Sequence, residues 1–135
     1  MSRSQVMVRV RGSDTVPEKL MRHALWHAGL RYRIQAKDLP GRPDIVFRSA
    51  RLAIYVHGCF WHRHPGCKHA RIPKSRPQFW EEKLGGNIER DVKNIIALRE
   101  LDWTELIVWE CEVRDSAKLQ SLTAVVAQLV GRRKI

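Results

Sequence analysis

The order of apolar and polar residues along this chain predicts three amphipathic helices. Thr15 begins a capping-box pattern, and apolar residues recur behind it at helical spacing until Gly29. A second helix should start at an Asn87 cap, after the helix-breaking pair Gly85-Gly86. Its apolar face would comprise Ile88, Val92, Ile95, Ile96 and Leu98. Residues 116–130 place leucine and valine on one face and form the third helix.

Short runs of β-branched and aromatic residues between these helices predict four strands, at residues 30–36, 45–47, 52–56 and 104–109. Only the link 48–51 separates the second run from the third, so these two form an antiparallel hairpin. Asp44, at the head of the second strand, should therefore lie close to His57, at the end of the third. Strands interspersed with helices indicate an α/β fold.

The stretch from His57 to Cys67 concentrates metal-binding residues immediately after the third strand. Three soft ligands lie in this loop, and a fourth ends the last strand; the set is Cys59, His64, Cys67 and Cys111. Four protein ligands leave no open position, so we predict a structural zinc that holds the loop to the sheet. His62 and His69 are alternative histidine ligands. Three unrelated buried cysteines are the competing interpretation.

Asp44, His57 and His62 form a second candidate set. A carboxylate and two imidazoles outside the zinc set suit metal-assisted phosphodiester hydrolysis, in which Mg²⁺ binds the phosphate and a histidine takes a proton from water. Imidazole titrates near neutral pH and can do this without a large pKa shift. The alternative is that both histidines only support the loop.

Two other acids and a histidine pair are ambiguous from their positions. Glu18 is either a helix cap or an acid directed at a metal-bound water. Asp91 lies beside the apolar stripe of the second helix, where a carboxylate needs a partner unless it is solvated. His23 and His27 are spaced to share a metal, but surface or packing roles are favoured on that basic helix.

Composition narrows the class of partner. The chain of 135 residues is 44% hydrophobic, enough for one core, and we expect a single domain at residues 15–135. Its net charge of +11 favours nucleic acid, although a merely soluble basic protein is the alternative.

Residues 1–14 form a basic DNA-binding arm or a frayed terminus. No apolar run could cross a membrane and no signal peptide is evident, so we expect a cytoplasmic protein.

Aromatic residues in the loops add a third functional element. Phe60, Trp61 and Trp80 are interleaved with basic residues, among them Arg63 and Arg76. This combination is typical of wedging between base steps or base stacking with phosphate contacts around it. In a zinc-held loop, the same rings could form a small local core instead.

Five motifs in order resemble one known family. They are Leu39-Pro-Gly-Arg-Pro-Asp44, His57-Gly-Cys-Phe-Trp-His62, Phe79-Trp80, Asn87-Ile-Glu-Arg-Asp91 and Leu106-Ile-Val-Trp-Glu-Cys111. In content and spacing they are similar to the very short patch repair endonucleases, over most of the chain. The chain also resembles this family in lacking the Glu-x-Lys of most nucleases of the implied fold.

The resemblance implies a restriction-endonuclease-like, PD-(D/E)xK-type core, with a mixed central sheet flanked by helices and a structural zinc site. It implies a monomeric, Mg²⁺-dependent endonuclease that nicks one strand 5′ to the thymine of a T:G mismatch in double-stranded DNA. Such mismatches arise from deamination of 5-methylcytosine, so mismatch-repair proteins and a cytosine-5 methyltransferase would be functional partners. A nickase of the same fold in another pathway and a non-catalytic zinc-stabilised DNA-binding module are the alternatives.

The resemblance also implies roles for individual residues. Asp44 and the backbone carbonyl of Val56 would bind Mg²⁺, and His62 would be the general base with Asp91 orienting it. His57 and Glu18 would contact metal-bound waters or the phosphate. Zinc would be held by Cys59, His64, Cys67 and Cys111. The wedge would comprise Phe60, Trp61 and Trp80, with Met7 of the arm entering from the other groove.

Overall fold

The computed structural model describes residues 15–133, which form four helices and four strands. The helices are α1 (Val16–His27), α2 (Pro77–Glu100), α3 (Glu110–Val113) and α4 (Ser116–Arg133). The strands are β1 (Arg33–Ile34), β2 (Ile45–Phe47), β3 (Leu52–His57) and β4 (Thr104–Trp109). None of the helices in these residues is long and apolar enough to span a bilayer.

The four strands form one mixed sheet in the order β1-β2-β3-β4. β2 pairs antiparallel with both β1 and β3, which confirms the hairpin expected from the short link between them. β4 pairs parallel with β3, and α2 provides the long crossover that a parallel connection needs. Parallel register brings His57 opposite Trp109, so both strands end at the same edge of the sheet.

Two apolar layers enclose the sheet because side chains along a strand alternate between its faces. On one face, Ile54 of β3 and Val108 of β4 pack with Met21 of α1 and Val126 of α4. On the other face, Ala53 and Tyr55 pack with Leu98 of α2, and Ile95 lies at the margin. The result is a sheet covered by helices on both faces, the mixed α/β fold that the sequence predicts.

The second helix differs from its prediction. It begins at Pro77 and runs without interruption through Gly85 and Gly86, so neither the break nor the Asn87 cap exists. A glycine inside a helix costs only about 1 kcal/mol, which packing of the buried Leu84 and Leu98 offsets. Phe79 and Trp80 consequently lie in a helical turn rather than a loop.

The burial pattern of α2 also departs from the expected apolar face. Ile88, Val92 and Ile96 are all exposed, and Leu84, which the pattern omitted, is buried. Ile95 and Leu98 of the expected face do pack against the sheet, so the predicted face is correct in part.

The two ends of the described chain carry smaller differences. The first strand is limited to Arg33–Ile34, because Gln35 adopts a left-handed φ of 51° and leaves the extended conformation. The last helix continues through Gly131 to Arg133 rather than ending at Val130. The basic arm, with Met7, and residues 134–135 lie outside the described residues.

Candidate active site

Asp44 lies where the turn 39–43 enters β2, and two hydrogen bonds fix it to β3. Its Oδ2 accepts from the backbone N–H of Val56 at 2.7 Å, and its own N–H donates to the carbonyl of Ile54 at 3.0 Å. The pKa of Asp44 is raised to about 7, first because burial penalises the charge and then because the Glu18 carboxylate lies beside it. The structure thus brings together two carboxylates that the sequence places 26 residues apart.

Glu18 comes from the first turn of α1, which the Thr15 cap starts. Its backbone N–H donates to Thr15 Oγ1 at 3.5 Å, so Thr15 is the residue that caps the helix. Its side chain is almost completely buried, at 4% exposure, and interacts with Asp44. The carboxylate of Glu18 therefore lies at Asp44, and its role at a metal-bound water stays a prediction.

His62 and Asp91 form a close pair across the cleft. Nδ1 of His62 lies 2.6 Å from Oδ2 of Asp91. His57 stacks on His62 with ring centroids 3.7 Å apart and planes inclined by 8°. The pKa of His57 is lowered to about 4, chiefly because burial disfavours the charged ring and secondly because His62 is near. His57 is therefore neutral at physiological pH.

A separate cluster of soft ligands lies at the same edge of the sheet. Its ligand atoms, from Cys59, His64, Cys67 and Cys111, all lie within 4.8 Å of one another. His64 Nδ1 is 3.7 Å from the Cys59 sulfur and 3.4 Å from the Cys111 sulfur. Tetrahedral zinc sets its nitrogen and sulfur ligands roughly 3.5 Å apart, so the four side chains fit a zinc ion. Neither His62 nor His69 belongs to this group.

The aromatic residues singled out in the sequence contact one another. The ring of Phe60 lies 5.2 Å from that of Trp61 and 5.3 Å from that of Trp80. The Asn87 side-chain amide donates to the Trp61 carbonyl at 2.9 Å and ties the loop to α2. All three rings remain partly exposed, so they form a small cluster that still presents aromatic surface to solvent.

These elements surround a cleft of about 730 Å³. Its walls include the residues that the sequence assigns to catalysis, namely Glu18, Asp44, His57, His62 and Asp91. Phe60 and Trp61 also line it, whereas Trp80, Arg63 and Arg76 do not. Arg76 instead places its guanidinium 4.5 Å from the Phe79 ring. His23 and His27 lie together on α1, outside the cleft walls, with ring centroids 5.6 Å apart.

The sequence of this chain is similar to those of known proteins. A family profile described as DNA mismatch endonuclease Vsr matches residues 1–69. A protein of Escherichia coli strain K12, named DNA mismatch endonuclease Vsr, is 46% identical over 118 residues, which cover 87% of this chain and 75% of that protein. This chain belongs to the Vsr family of DNA mismatch endonucleases.

Other relatives of this chain are named as nicking enzymes. A protein of Xanthomonas oryzae, named type II nicking enzyme V.XorIIP, is 45% identical over 119 residues, covering 88% of this chain and 87% of its own. Type II nicking enzyme V.NmeAIP of Neisseria meningitidis is 42% identical over 115 residues, which cover 85% of this chain and 81% of that protein. The family consists of nucleases, so the chain is a DNA-cleaving hydrolase.

Four basic residues around the Vsr-family cleft were missed by sequence analysis. They are Arg42, Lys83, Arg90 and Arg114. Arg42 precedes Asp44 by two residues inside a recognised motif, so it could have been found. Lys83 and Arg90 face the cleft only because α2 is one continuous helix, and Arg114 is directed by its ion pair with Glu110 at 3.0 Å.

Proposed function

We propose that this chain nicks one strand of duplex DNA on the 5′ side of the thymine in a T:G mismatch, by Mg²⁺-dependent hydrolysis. One observation carries the proposal. A buried carboxylate pair, Asp44 with Glu18, and an imidazole–carboxylate pair, His62 with Asp91, line the same cleft. Membership of the Vsr family and the name of the Escherichia coli relative favour a mismatch as the substrate.

The carboxylate pair fits a hard divalent cation. Two buried acids in contact repel each other, and the raised pKa of Asp44 is what a site lacking its counter-charge would produce. The N–H of Val56 faces Asp44, and in an extended strand the carbonyl of a residue faces the same side as its N–H, so this carbonyl is also available. Asp44 and Val56 would hold Mg²⁺, with Glu18 beside them. When bound, Mg²⁺ would neutralise charge that develops on the phosphate.

His62 is suited to act as the general base. A carboxylate can only accept, so the short contact to Asp91 places the imidazole proton on Nδ1 and leaves the Nε2 lone pair for a proton from water. Asp91 also holds the ring orientation. Neutral His57, stacked on His62, can contact the phosphate or a bound water without adding a charge.

The remaining elements would bind and distort DNA. The cluster of Phe60, Trp61 and Trp80 offers partly exposed rings that could wedge beside the mismatched bases, at a site bordered by basic residues. The same proposal divides the chain into a DNA-binding arm at residues 1–14 and one catalytic domain at residues 15–135. Met7 of the arm would be a further wedge. Arg63 and Arg76 would contact phosphates outside the cleft.

The zinc site and the fold type also belong to the proposal. The geometry of the Cys3His cluster and the soft character of its ligands support a structural Zn²⁺. The strand order, the acid at the head of β2 and the crossover helix support a restriction-endonuclease-like core. We propose that it acts as a monomer, as the family resemblance implies.

The test is a nicking assay on matched duplexes that contain T:G, T:A or C:G at one position. We expect the full chain with Mg²⁺ to nick the T:G duplex on the thymine strand, and to leave the paired duplexes intact. Asp44→Ala should bind the same DNA without cutting it. Cleavage that persists in this variant would refute the assigned mechanism.

A second candidate is a nickase that serves a restriction system, which the names of the Xanthomonas and Neisseria relatives favour. Nicking of the T:A or C:G duplex at a recognition sequence would support it. A non-catalytic DNA-binding module would bind all three duplexes and nick none.

A further inference from the structure

A row of aromatic rings joins the Cys3His cluster to the imidazole–carboxylate pair. His64 stacks on Trp109, with centroids 4.2 Å apart and planes inclined by 10°. Trp109 meets His57 edge to face at 5.3 Å and 76°. His57 in turn stacks on His62 at 3.7 Å, and His62 bonds to Asp91. The row therefore links a zinc-ligand candidate to the proposed general base.

His57, in the middle of this row, depends on ring contacts for its orientation. Its Nδ1 is buried, and residues 15–133 offer that atom no hydrogen-bond partner. Trp109 and His62 contact the ring, and Tyr55 lies 6.2 Å away. A ring that lacks a hydrogen bond at this nitrogen keeps its angle mainly through packing, so its neighbours decide where His57 and the stacked His62 point.

Trp109 is itself held from two directions by the zinc-ligand candidates. The His64 ring covers one face of the indole, and Cys111 follows Trp109 by two residues along the chain. The backbone N–H of Trp109 donates to Glu112 Oε1 at 3.1 Å, which fixes the start of α3. Ordering of the cluster therefore also orders the indole.

We propose that Trp109 is a positioning residue that transmits the order of the Cys3His cluster to His57 and His62. The inference rests on the proposed function, in which His62 accepts a proton from the attacking water. Without the indole, the His57–His62 stack can shift while the DNA-binding surfaces stay in place. A displacement of about 1 Å can lower a catalytic rate roughly 100-fold, so the effect should appear in kcat rather than in DNA affinity.

The test compares two variants of Trp109 with a matched control at the opposite end of β4. Trp103 lies just before this strand and packs against the apolar layer that contains Leu98. Trp103→Leu therefore removes an indole as Trp109→Leu does, but at the other end of the strand. We expect Trp109→Leu to lower kcat about 30-fold and Trp109→Phe about 3-fold, because phenylalanine keeps an aromatic ring and leucine does not. Zinc content and the Kd for T:G DNA should stay near those of the unmodified chain. Trp103→Leu should leave kcat unchanged.

A second measurement needs no DNA. NMR of the zinc-loaded protein should show that the ring protons of His62, which stacks on His57 rather than on Trp109, change shift in both Trp109 variants and keep it in Trp103→Leu. Should the unmodified chain fail to nick T:G DNA, the proposed function falls, while these shifts still decide the role of Trp109.

The following results would overturn the inference. The first is that zinc-loaded Trp109→Leu has the kcat of the unmodified chain. The second is that Trp103→Leu lowers kcat as much as Trp109→Leu does. Unmoved histidine shifts in the Trp109 variants would do the same. If Trp109→Leu does not fold or loses zinc, Trp109→Phe decides: a lowered kcat with moved shifts supports the role, and unmodified values of both refute it.

Discussion

The cleft and the Cys3His cluster lie at the same edge of the sheet, but they obtain their order from different sources. Asp44 is fixed by backbone bonds to β3, and β2 and β3 are almost completely buried. The loop 58–76 has only a three-residue 3₁₀ turn at Lys68–Ala70, and Cys59 is its one fully buried residue. The Asp44 side of the cleft is therefore ordered by the protein core, whereas the loop, which carries His62, lacks a core and needs its ligand cluster.

The two sites also differ in what an absent ion would cost. In the cleft, the repulsion between two buried acids raises the free energy of the folded state when no cation is bound, and this is the cost of a site prepared for one. In the loop, the free energy of binding zinc would be the free energy of folding the segment. Removing zinc should therefore destabilise the loop, whereas removing one of the two carboxylate charges should stabilise the protein at the cleft.

The largest effect is expected from Asp44→Asn. Nicking should fall by about 1,000-fold or more, because the variant loses the charge that would bind the cation. In metal-free protein the same change should raise the melting temperature, since the Asn oxygen still accepts from Val56 and the repulsion by Glu18 is gone.

This stabilisation has a defined pH dependence. The folded pKa of Asp44, about 7, lies above its unfolded value, so folding takes up a proton. The contribution of the protonated form is complete below about pH 4 and is lost as the pH rises through 7. The gain from Asn should be absent at pH 4 and reach about 4 kcal/mol at pH 8, measured by thermal unfolding of the zinc-loaded protein in Mg²⁺-free buffer. An Asn variant less stable than the unmodified chain at pH 8 would contradict it.

Sequence reasoning succeeded where the determinant was local. The bounds of β2 and β4 match because short β-branched runs flanked by turns have few alternative conformations. The position of Asp44 beside β3 was predicted correctly because the short link 48–51 requires β2 and β3 to pair as a hairpin. It failed for α2, where tertiary packing of Leu84 and Leu98 overrides two glycines. The basic lining of the cleft and the ring row through Trp109 depend on helix rotation and strand register, which no local pattern specifies.

Removing zinc should give the next largest effect and sharpen the contrast between the two sites. We expect a strong chelator, or Cys59→Ser, to expose the loop 58–76 to trypsin at Arg63, Arg71 and Lys74, while the sheet stays protected. Nicking should fall about 100-fold, since His62 lies in this loop. Limited proteolysis with mass spectrometry measures the cut sites. Cutting that begins in α4 instead would show that the cluster supports the whole fold.

Asp91→Asn tests whether the cleft acts through the orientation of His62. The amide can present its NH₂ group to Nδ1 and so favour the other imidazole tautomer, which should lower kcat about 100-fold with little change in stability. Glu89→Gln is the matched control, because it removes a charge from an exposed site on the same helix, outside the cleft walls. Equal losses in both variants would point to a general effect of charge on DNA binding.

The smallest effect is expected from Tyr55→Phe, which asks how rigidly the core positions Asp44. The Tyr55 hydroxyl donates to the Pro40 carbonyl at 2.7 Å and holds the turn that leads to Asp44. Its loss should cost about 1 kcal/mol and raise the Mg²⁺ concentration for half-maximal nicking by roughly 3-fold.

Tyr32→Phe is its matched control, because that hydroxyl donates to the Arg22 carbonyl at 3.1 Å, away from the cleft. It should cost similar stability and leave the Mg²⁺ requirement unchanged. A changed Mg²⁺ requirement in Tyr32→Phe would mean that loosening the core anywhere disturbs the site. The order of the cleft would then be a property of the whole fold rather than of the turn that carries Asp44.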